Sequence, residues 1–290
     1  MIVIENLTKK FDDQVVLNQV NLHVEKGMAF GIYGKKESGK TTLLRVLMHF
    51  LYPTEGRCSI AGFDCNTQED EVHKRVAYIP ENPQFYDHLS VAENIRFGTD
   101  GNKGYTAQEK KALLESFALD PKAMGWELSR REKSKLATVI ALLRKPPIFL
   151  LDSPFTNLAP MERAMLIRHL HAAKKAGATL LMTSSYEEDV LSFCDEVALM
   201  EQGILGEPKE ITAFMDHQGV FVKVFGDLTH KEVAQLAYRI TVSTDHEKQF
   251  FYRGDLAPLL ALLSQKNIQS LEIVSAEQGN LYADHFGGQV

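Results

Sequence analysis

The sequence predicts an α/β fold followed by a small α+β domain, and three stretches predict it. Gly34-Lys35-Lys36-Glu37-Ser38-Gly39-Lys40-Thr41-Thr42 has the spacing G-x-x-x-x-G-K-[ST] of a phosphate-binding loop. The apolar run Met28 to Tyr33 enters it and the run Leu43 to Met48 leaves it, which is the strand, loop, helix order such a loop requires. Pro147-Ile148-Phe149-Leu150-Leu151-Asp152 is a second apolar run, a strand buried on both faces whose acid emerges at its carboxyl end. Beyond about residue 205 the pattern becomes βαββαβ, the order of a ferredoxin-like domain. The expected division is 1–205 and 206–290.

The totals fit that division. A chain of 290 residues suits one large and one small domain, and 44% hydrophobic with 24% charged residues supplies a substantial core without a disordered composition. A net charge of -6 gives no electrostatic reason for general binding to nucleic acid, a local basic patch aside, so no nucleic-acid partner is expected. No uncharged apolar run reaches the roughly 18 residues that span a bilayer, and the N-terminus lacks the pattern of a secretory signal. A cytoplasmic chain is expected. Cys58, Cys65 and Cys194 are odd in number and lack a C-x-x-C spacing, so reduced core thiols are expected in place of disulfides or zinc.

In chain order, Ile2 to Leu7, Val15 to Val24 and Met28 to Phe30 are β-type runs separated by Asp12-Asp13 and Lys26-Gly27, an antiparallel sheet leading into the loop. Phe11 stands where an aromatic would stack on a base, or in the core. Ser59 to Asp64 and Val76 to Pro80 are further strands. From about 81 to 145 the pattern is helical, with capping boxes at Ser90/Glu93 and Thr106/Glu109 and a stop at Gly98. Pro160 opens a helix that Gly177 closes; strand Thr179 to Thr183, helix Tyr186 to Cys194 and a strand pair across Gln202-Gly203 follow. Past the second domain's last strand, a short helix is expected around 281–286.

At the loop, backbone N–H groups at the helix start would cradle phosphates, Lys40 would neutralise them, and the Thr41 hydroxyl would hold Mg²⁺ together with Asp152.

With these motifs placed, the chain resembles the ATP-binding subunit of an ABC transporter over about residues 1 to 205. The resemblance implies a P-loop NTPase domain of the ABC ATPase kind, with an antiparallel β subdomain and a helical insertion. Phe11 then matches the base-stacking aromatic, Tyr78-Ile79-Pro80 leads into the loop facing a membrane subunit, Leu128-Ser129 opens the signature segment, and Leu151-Asp152-Ser153-Pro154 stands at the magnesium motif. The C-terminal appendage resembles that of ABC-2 exporters. Implied cofactors are ATP and Mg²⁺. Implied partners are a membrane-spanning permease and a second nucleotide-binding chain paired head to tail at the cytoplasmic face of the membrane.

The departures from the family pattern are chemical. The water-polarising glutamate is replaced by Ser153 and the switch histidine by Ser185. A serine hydroxyl is no general base at neutral pH, and losing a positioned base costs roughly 10²- to 10⁴-fold in rate. Ser185 with Glu188 has capping-box form. The glutamine that links metal and membrane subunit becomes Glu81, which either touches Mg²⁺ or is solvated. Ala159 stands where a cross-dimer acid and helix cap is usual, a cap worth around 1 kcal/mol. The signature glycines become Arg130 and Arg131, a solvated face or a grip on the partner's γ phosphate, while Ser129/Glu132 keeps the capping box. Glu37 places a carboxylate beside the triphosphate, with Lys35 and Lys36 to offset it.

These features imply an exporter subunit that binds MgATP with weak or absent hydrolysis of its own, preferably paired with an intact partner. A non-hydrolysing, ATP-gated regulatory or scaffold subunit is the alternative; a small-molecule P-loop kinase leaves the signature and the appendage unexplained. Phe85, Tyr86 and Leu89 either receive a helix of the permease or form a small core under the insertion.

Overall fold

The computed structural model describes residues 1–99, 104–210, 219–244, 246–253 and 256–275. The chain divides into two compact units, Met1–Ile211 and Thr212–Val290.

The first unit is built on two sheets. Strands β1 (Ile2–Phe11) and β2 (Gln14–Val24) pair antiparallel, and β4 (Glu55–Ile60) and β5 (Phe63–Asp64) extend them in the order β2-β1-β4-β5. Their alternating buried positions, Ile2, Ile4 and Leu7 on β1 and Leu22 and Val24 on β2, give the face that covers helix α1 (Lys40–Leu47). Strand β3 (Ala29–Tyr33) leaves that layer and joins β6 (Val76–Ile79), β7 (Ile148–Asp152), β8 (Thr179–Ser184) and β9 (Glu196–Glu201) in a parallel sheet ordered β9-β3-β8-β7-β6. β10 (Ile204–Leu205) and β11 (Lys209–Glu210) pair antiparallel with β9, so the first unit continues past residue 205. Strands β7 and β8 are buried at every residue, as their unbroken apolar runs require.

A helix α2 (Glu69–Arg75) precedes β6; the sequence reading had no element there, because seven residues carrying one buried apolar side chain, Val72, show no helical stripe. The insertion contains α3 (Val91–Gly98), α4 (Ala107–Ser116) and α5 (Arg130–Arg144), opened by the expected capping boxes at Ser90, Thr106 and Ser129. Gly98 does not end α3 through a left-handed turn. Its added Cβ would lie 2.9 Å from Ile140 Cγ2, so the missing side chain permits close packing of α3 on α5. Phe85 packs on the core of this insertion, whereas Tyr86 is exposed with its ring 4.7 Å from that of Phe97. Helices α6 (Pro160–Lys175) and α7 (Glu187–Leu191) complete the unit. All three cysteines are free and buried.

The second unit runs β12 (Gly219–Gly226), α8 (His230–Leu236), β13 (Ala237–Ser243), β14 (Glu247–Arg253), α9 (Leu256–Leu263), β15 (Ile268–Ser275). Its antiparallel sheet has the order β13-β14-β12-β15, the ferredoxin-like arrangement, around Val222, Val224, Val233, Phe250 and Leu259. The helix expected at 281–286 lies outside the described residues.

Candidate nucleotide site

Strand order makes the site. β3 carries the phosphate loop, β7 ends in Asp152, and β8 lies between them, so all three carboxyl ends open at one edge where a parallel sheet binds its ligands. The loop is held from several sides. Gly34 N donates to Ser184 O at 3.2 Å, Gly203 N to Ser38 O at 3.0 Å, and Asn18 N to Gly203 O at 2.9 Å. A Cβ on Gly34 would stand 2.1 Å from the Met200 carbonyl, and Gly39 adopts φ +106°, so both motif glycines answer a backbone demand. Glu37 also lies in the left-handed region, at φ 66°, where glycine is the unstrained residue.

Lys40 is buried and folded back onto its own loop, its Nζ donating to Gly34 O at 2.6 Å, Lys35 O at 2.7 Å and Ser38 Oγ at 3.0 Å. Burial pulls its ammonium below the ordinary lysine value, opposed by the negative charges of Asp152 and Glu81. Glu81 therefore faces the loop closely enough for its charge to bear on Lys40, while its main-chain carbonyl accepts from Asn157 Nδ2 at 3.0 Å. Lys35, Lys36 and Glu37 are exposed at the loop's outer bend.

Asp152 is 1% exposed and is met by hydroxyl groups: Thr41 Oγ1 at 3.1 Å, Thr183 Oγ1 at 2.9 Å and Tyr78 Oη at 3.4 Å. Burial and the Asp152 charge both push the Tyr78 phenol above its usual value, so it stays a donor. Hard oxygen donors from Thr41 and Asp152, side by side at the helix start, suit a small divalent cation. Thr183 and Asn157 are neighbours of the site that the motif spacing does not single out, and Tyr78, expected only to lead into the following loop, reaches Asp152. The signal for Thr183 was a hydroxyl at the end of the strand lying between the two motif strands.

Ser153 has φ 48° and is buried, with its N–H donating to Thr183 O at 3.0 Å. Ser185 is half-buried and caps nothing: α7 starts at Glu187 without a side-chain cap, so the expected Ser185/Glu188 box is absent. The preceding Ser184 is the engaged hydroxyl, although it does not cap the helix. Its hydroxyl donates to Asp189 Oδ2 at 2.5 Å and accepts from Tyr186 N at 3.0 Å, and Asp189 is paired with Arg163 at 2.7 Å. The buried acid at the third residue of α7 thus engages Ser184, and Ser185 stays out of the helix start.

Phe11 is not a core residue. It ends β1, 43% exposed, with Lys9 Nζ 4.8 Å from its ring centroid, which leaves a ring available for stacking. Ser129 caps α5 at the surface. The two arginines part company: Arg131 Nε donates to Glu162 Oε2 at 2.8 Å, while Arg130 lines a cleft of about 410 Å³ with Asn82, Gln84, Leu128 and Lys133. Ala159 supplies no side-chain cap to α6, but the return half of the box survives, Ala159 N donating to Glu162 Oε2 at 2.9 Å.

Among the described residues no helix is long and apolar enough to cross a membrane. Residues 17–156 match the family model described as ABC transporter. A Nod factor export ATP-binding protein I of Cupriavidus metallidurans is 29% identical over 90% of this chain and 89% of its own length. An Fe(3+) ions import ATP-binding protein, FbpC of Pseudomonas fluorescens, is 34% identical over 70% of this chain and 60% of its own. A probable multidrug ABC transporter ATP-binding protein, YbhF of Escherichia coli, is 29% identical over 72% of this chain, which spans only 37% of that relative. Among solved structures, an ATP-binding subunit of an ABC transporter superposes with a TM-score of 0.68 at 24% identity, over 74% of this chain and 92% of that one. A dimeric bacterial ABC transporter cassette does so at 0.66 and 21%, over 73% and 99%. The sheet order, the loop geometry and these likenesses agree: the chain is similar to the ATP-binding subunits of ABC transporters, the family model matching just under half of it.

Proposed function

We propose that this chain binds MgATP at the Lys40 loop and drives or gates a membrane-spanning permease, with hydrolysis weak or absent on its own. The observation that carries the reading is the contrast within one site. The loop lysine Lys40 and the neighbouring oxygens of Thr41 and Asp152 support a site for a triphosphate and its metal, while Ser153 and Ser185, the two positions from which the family works on water, hold hydroxyls. Neither hydroxyl is basic enough to take a proton from water at neutral pH.

Export of the ABC-2 kind is the direction proposed. The Nod factor export relative aligns over 90% of the chain, so the alignment reaches beyond the first unit, whereas the iron import relative aligns over 70%. In a head-to-tail pair each site joins one chain's loop to the other's signature segment, so a partner with an intact glutamate and histidine would supply one hydrolysing site. Arg130 is then the residue offered to the partner's nucleotide, since Arg131 is engaged within its own chain. The exposed Tyr86 and Phe97, with Trp126, form the apolar face offered to the permease at the cytoplasmic side of the membrane.

The test is a nucleotide-binding and turnover assay on the purified chain. MgATP binding that Lys40→Ala abolishes, with turnover near background, is the expected result; brisk hydrolysis by the chain alone would sink the proposal. Copurification with the native complex distinguishes a hydrolysing pair from a purely regulatory subunit, because only the first includes a second, intact nucleotide-binding chain.

A further inference from the structure

Glu162 gathers more donors than a capping acid needs. Its Oε2 accepts from Arg131 Nε at 2.8 Å and from Ala159 N at 2.9 Å, and its Oε1 lies 3.6 Å from Lys135 Nζ. The Glu162 and Lys135 side chains are 13% and 8% exposed, so that pair is not solvated, whereas the Arg131 side chain that meets the same carboxylate is 54% exposed. Arg131 and Lys135 lie on the first turns of α5, whereas Ala159 and Glu162 begin α6. A second tie runs in parallel: Asn157 Nδ2, in the segment before α6, donates to Ser134 Oγ of α5 at 3.2 Å and to the carbonyl of Glu81 at 3.0 Å.

We propose that Glu162 is a positioning residue that latches the signature end of α5 to the start of α6, so that the two segments move as one body. The electrostatics favour it. An arginine in the first turn of a helix opposes the helix dipole, and a carboxylate at the start of the next helix is favoured by that helix's own dipole, so the Arg131–Glu162 pair relieves one conflict and uses one preference. Burial pushes the Glu162 carboxyl up, yet the Arg131 hydrogen bond, the Ala159 N–H and the positive charges hold it below the usual carboxylate range. The latch takes Arg131 away from any partner and leaves Arg130, which forms no ion pair among the described residues, at the open cleft. Where a pair of glycines would leave this segment pliable, this chain ties it to α6. The consequence for association rests on the head-to-tail reading above.

The experiment compares the full-length chain with Glu162→Gln, Arg131→Ala, Arg131→Lys and the double variant Glu162→Gln/Arg131→Ala. Hydrogen exchange of Ser129 to Lys135 without nucleotide is expected to rise about ten-fold in Glu162→Gln and Arg131→Ala, to rise no further in the double variant, and to return most of the way in Arg131→Lys. MgATP-driven association of the chain is expected to weaken in the same order, while MgATP affinity of the monomer stays within two-fold or so of the parent. Unchanged exchange in the single variants, strictly additive effects, or a parallel loss of monomer nucleotide affinity overturns the latch. Failure of the parent chain to associate with MgATP counts against the head-to-tail reading, and the exchange data still judge the latch.

Discussion

Thr183 Oγ1 lies 2.9 Å from Asp152 Oδ1, and the same carboxylate oxygen receives the Thr41 hydroxyl at 3.1 Å. One acid thus joins the end of β7 to the neighbouring strand and to the helix that follows the phosphate loop. Thr183 is fully buried and has no other purpose for its hydroxyl than this acid and, at 3.5 Å, the Leu151 carbonyl. Thr183→Val keeps the shape and removes the donor. It is expected to lower stability by about 1 to 3 kcal/mol, the cost of leaving a buried charged acceptor short of a partner, read as a shift in the urea midpoint at unchanged slope. Asp152→Asn is expected to leave nucleotide binding in EDTA nearly unchanged while abolishing its enhancement by Mg²⁺. Equal enhancement in variant and parent would remove Asp152 from the metal.

Gly34 and Gly177 separate two reasons for a glycine. A Cβ on Gly34 meets the Met200 carbonyl at 2.1 Å, a backbone atom that cannot turn aside; a Cβ on Gly177 meets nothing within 4 Å and faces only its φ of +96°. Gly34→Ala is therefore expected to cost at least about 3 kcal/mol and Gly177→Ala about 1 to 2 kcal/mol. Thermal denaturation of the two variants side by side checks the ranking, and a larger loss at Gly177 would contradict it.

The site was legible in the sequence where its chemistry runs along the chain and obscure where it runs across strands. Lys40, Thr41 and the two motif glycines are one contiguous spacing, and Asp152 ends an unmistakably apolar strand. The roles of Thr183 and Tyr78 depend on β8 and β6 flanking β7, which no local pattern encodes. The Ser185/Glu188 box was a correct local preference that lost to a tertiary one, since the buried Asp189, paired with Arg163 from α6, engages Ser184 instead. The two signature arginines had equal standing in sequence; Glu162, thirty-one positions further on than Arg131, distinguishes them. Helix α2 has no signature in the apolar pattern, because one buried side chain gives no stripe.

His169 lies against a cavity of about 710 Å³ lined by Leu113, Leu142, Phe149 and Ala173, with its Nε2 buried and without a hydrogen-bond partner. Burial, aided by the Arg168 charge, lowers its pKa from 6.5; burial and Lys174 do the same for His171. A depressed folded pKa means that the unfolded chain binds more protons just below 6.5, so stability is fully present above that value and falls as the pH drops through the folded values. His169→Phe removes both the proton and the unpartnered nitrogen beside a space that tolerates a larger ring. It is expected to raise stability by about 1 kcal/mol and to flatten the decline below pH 6.5. Chemical denaturation from pH 5 to pH 8 checks the slope; an unchanged profile would show that the imidazole titrates as it does in the unfolded chain.

The proposed loss of hydrolysis can be tested in steps, because each departure from the family pattern has a position in this chain. Ser153 occupies the left-handed region with φ 48° at the mouth of β7, and its N–H is held by Thr183, so the backbone that would carry a carboxylate is in place. Ser153→Glu is expected to raise turnover of the associated chain, by up to about 10²- to 10⁴-fold if the absent base is the limiting loss. Ser185→His added to it supplies the second missing group. A chain carrying both changes and still near background would place the limiting defect in the signature, where Arg131 is tied to Glu162 and Arg130 replaces a glycine backbone. Adding Arg130→Gly and Arg131→Gly is then expected to release the gain, because a backbone approach to the partner's nucleotide becomes sterically open. Steady-state turnover of the four-residue variant, compared with the same variant carrying Lys40→Ala, separates restored chemistry from contaminating activity. Turnover that stays at background in the repaired chain while MgATP still binds would show that the loss lies outside these four positions.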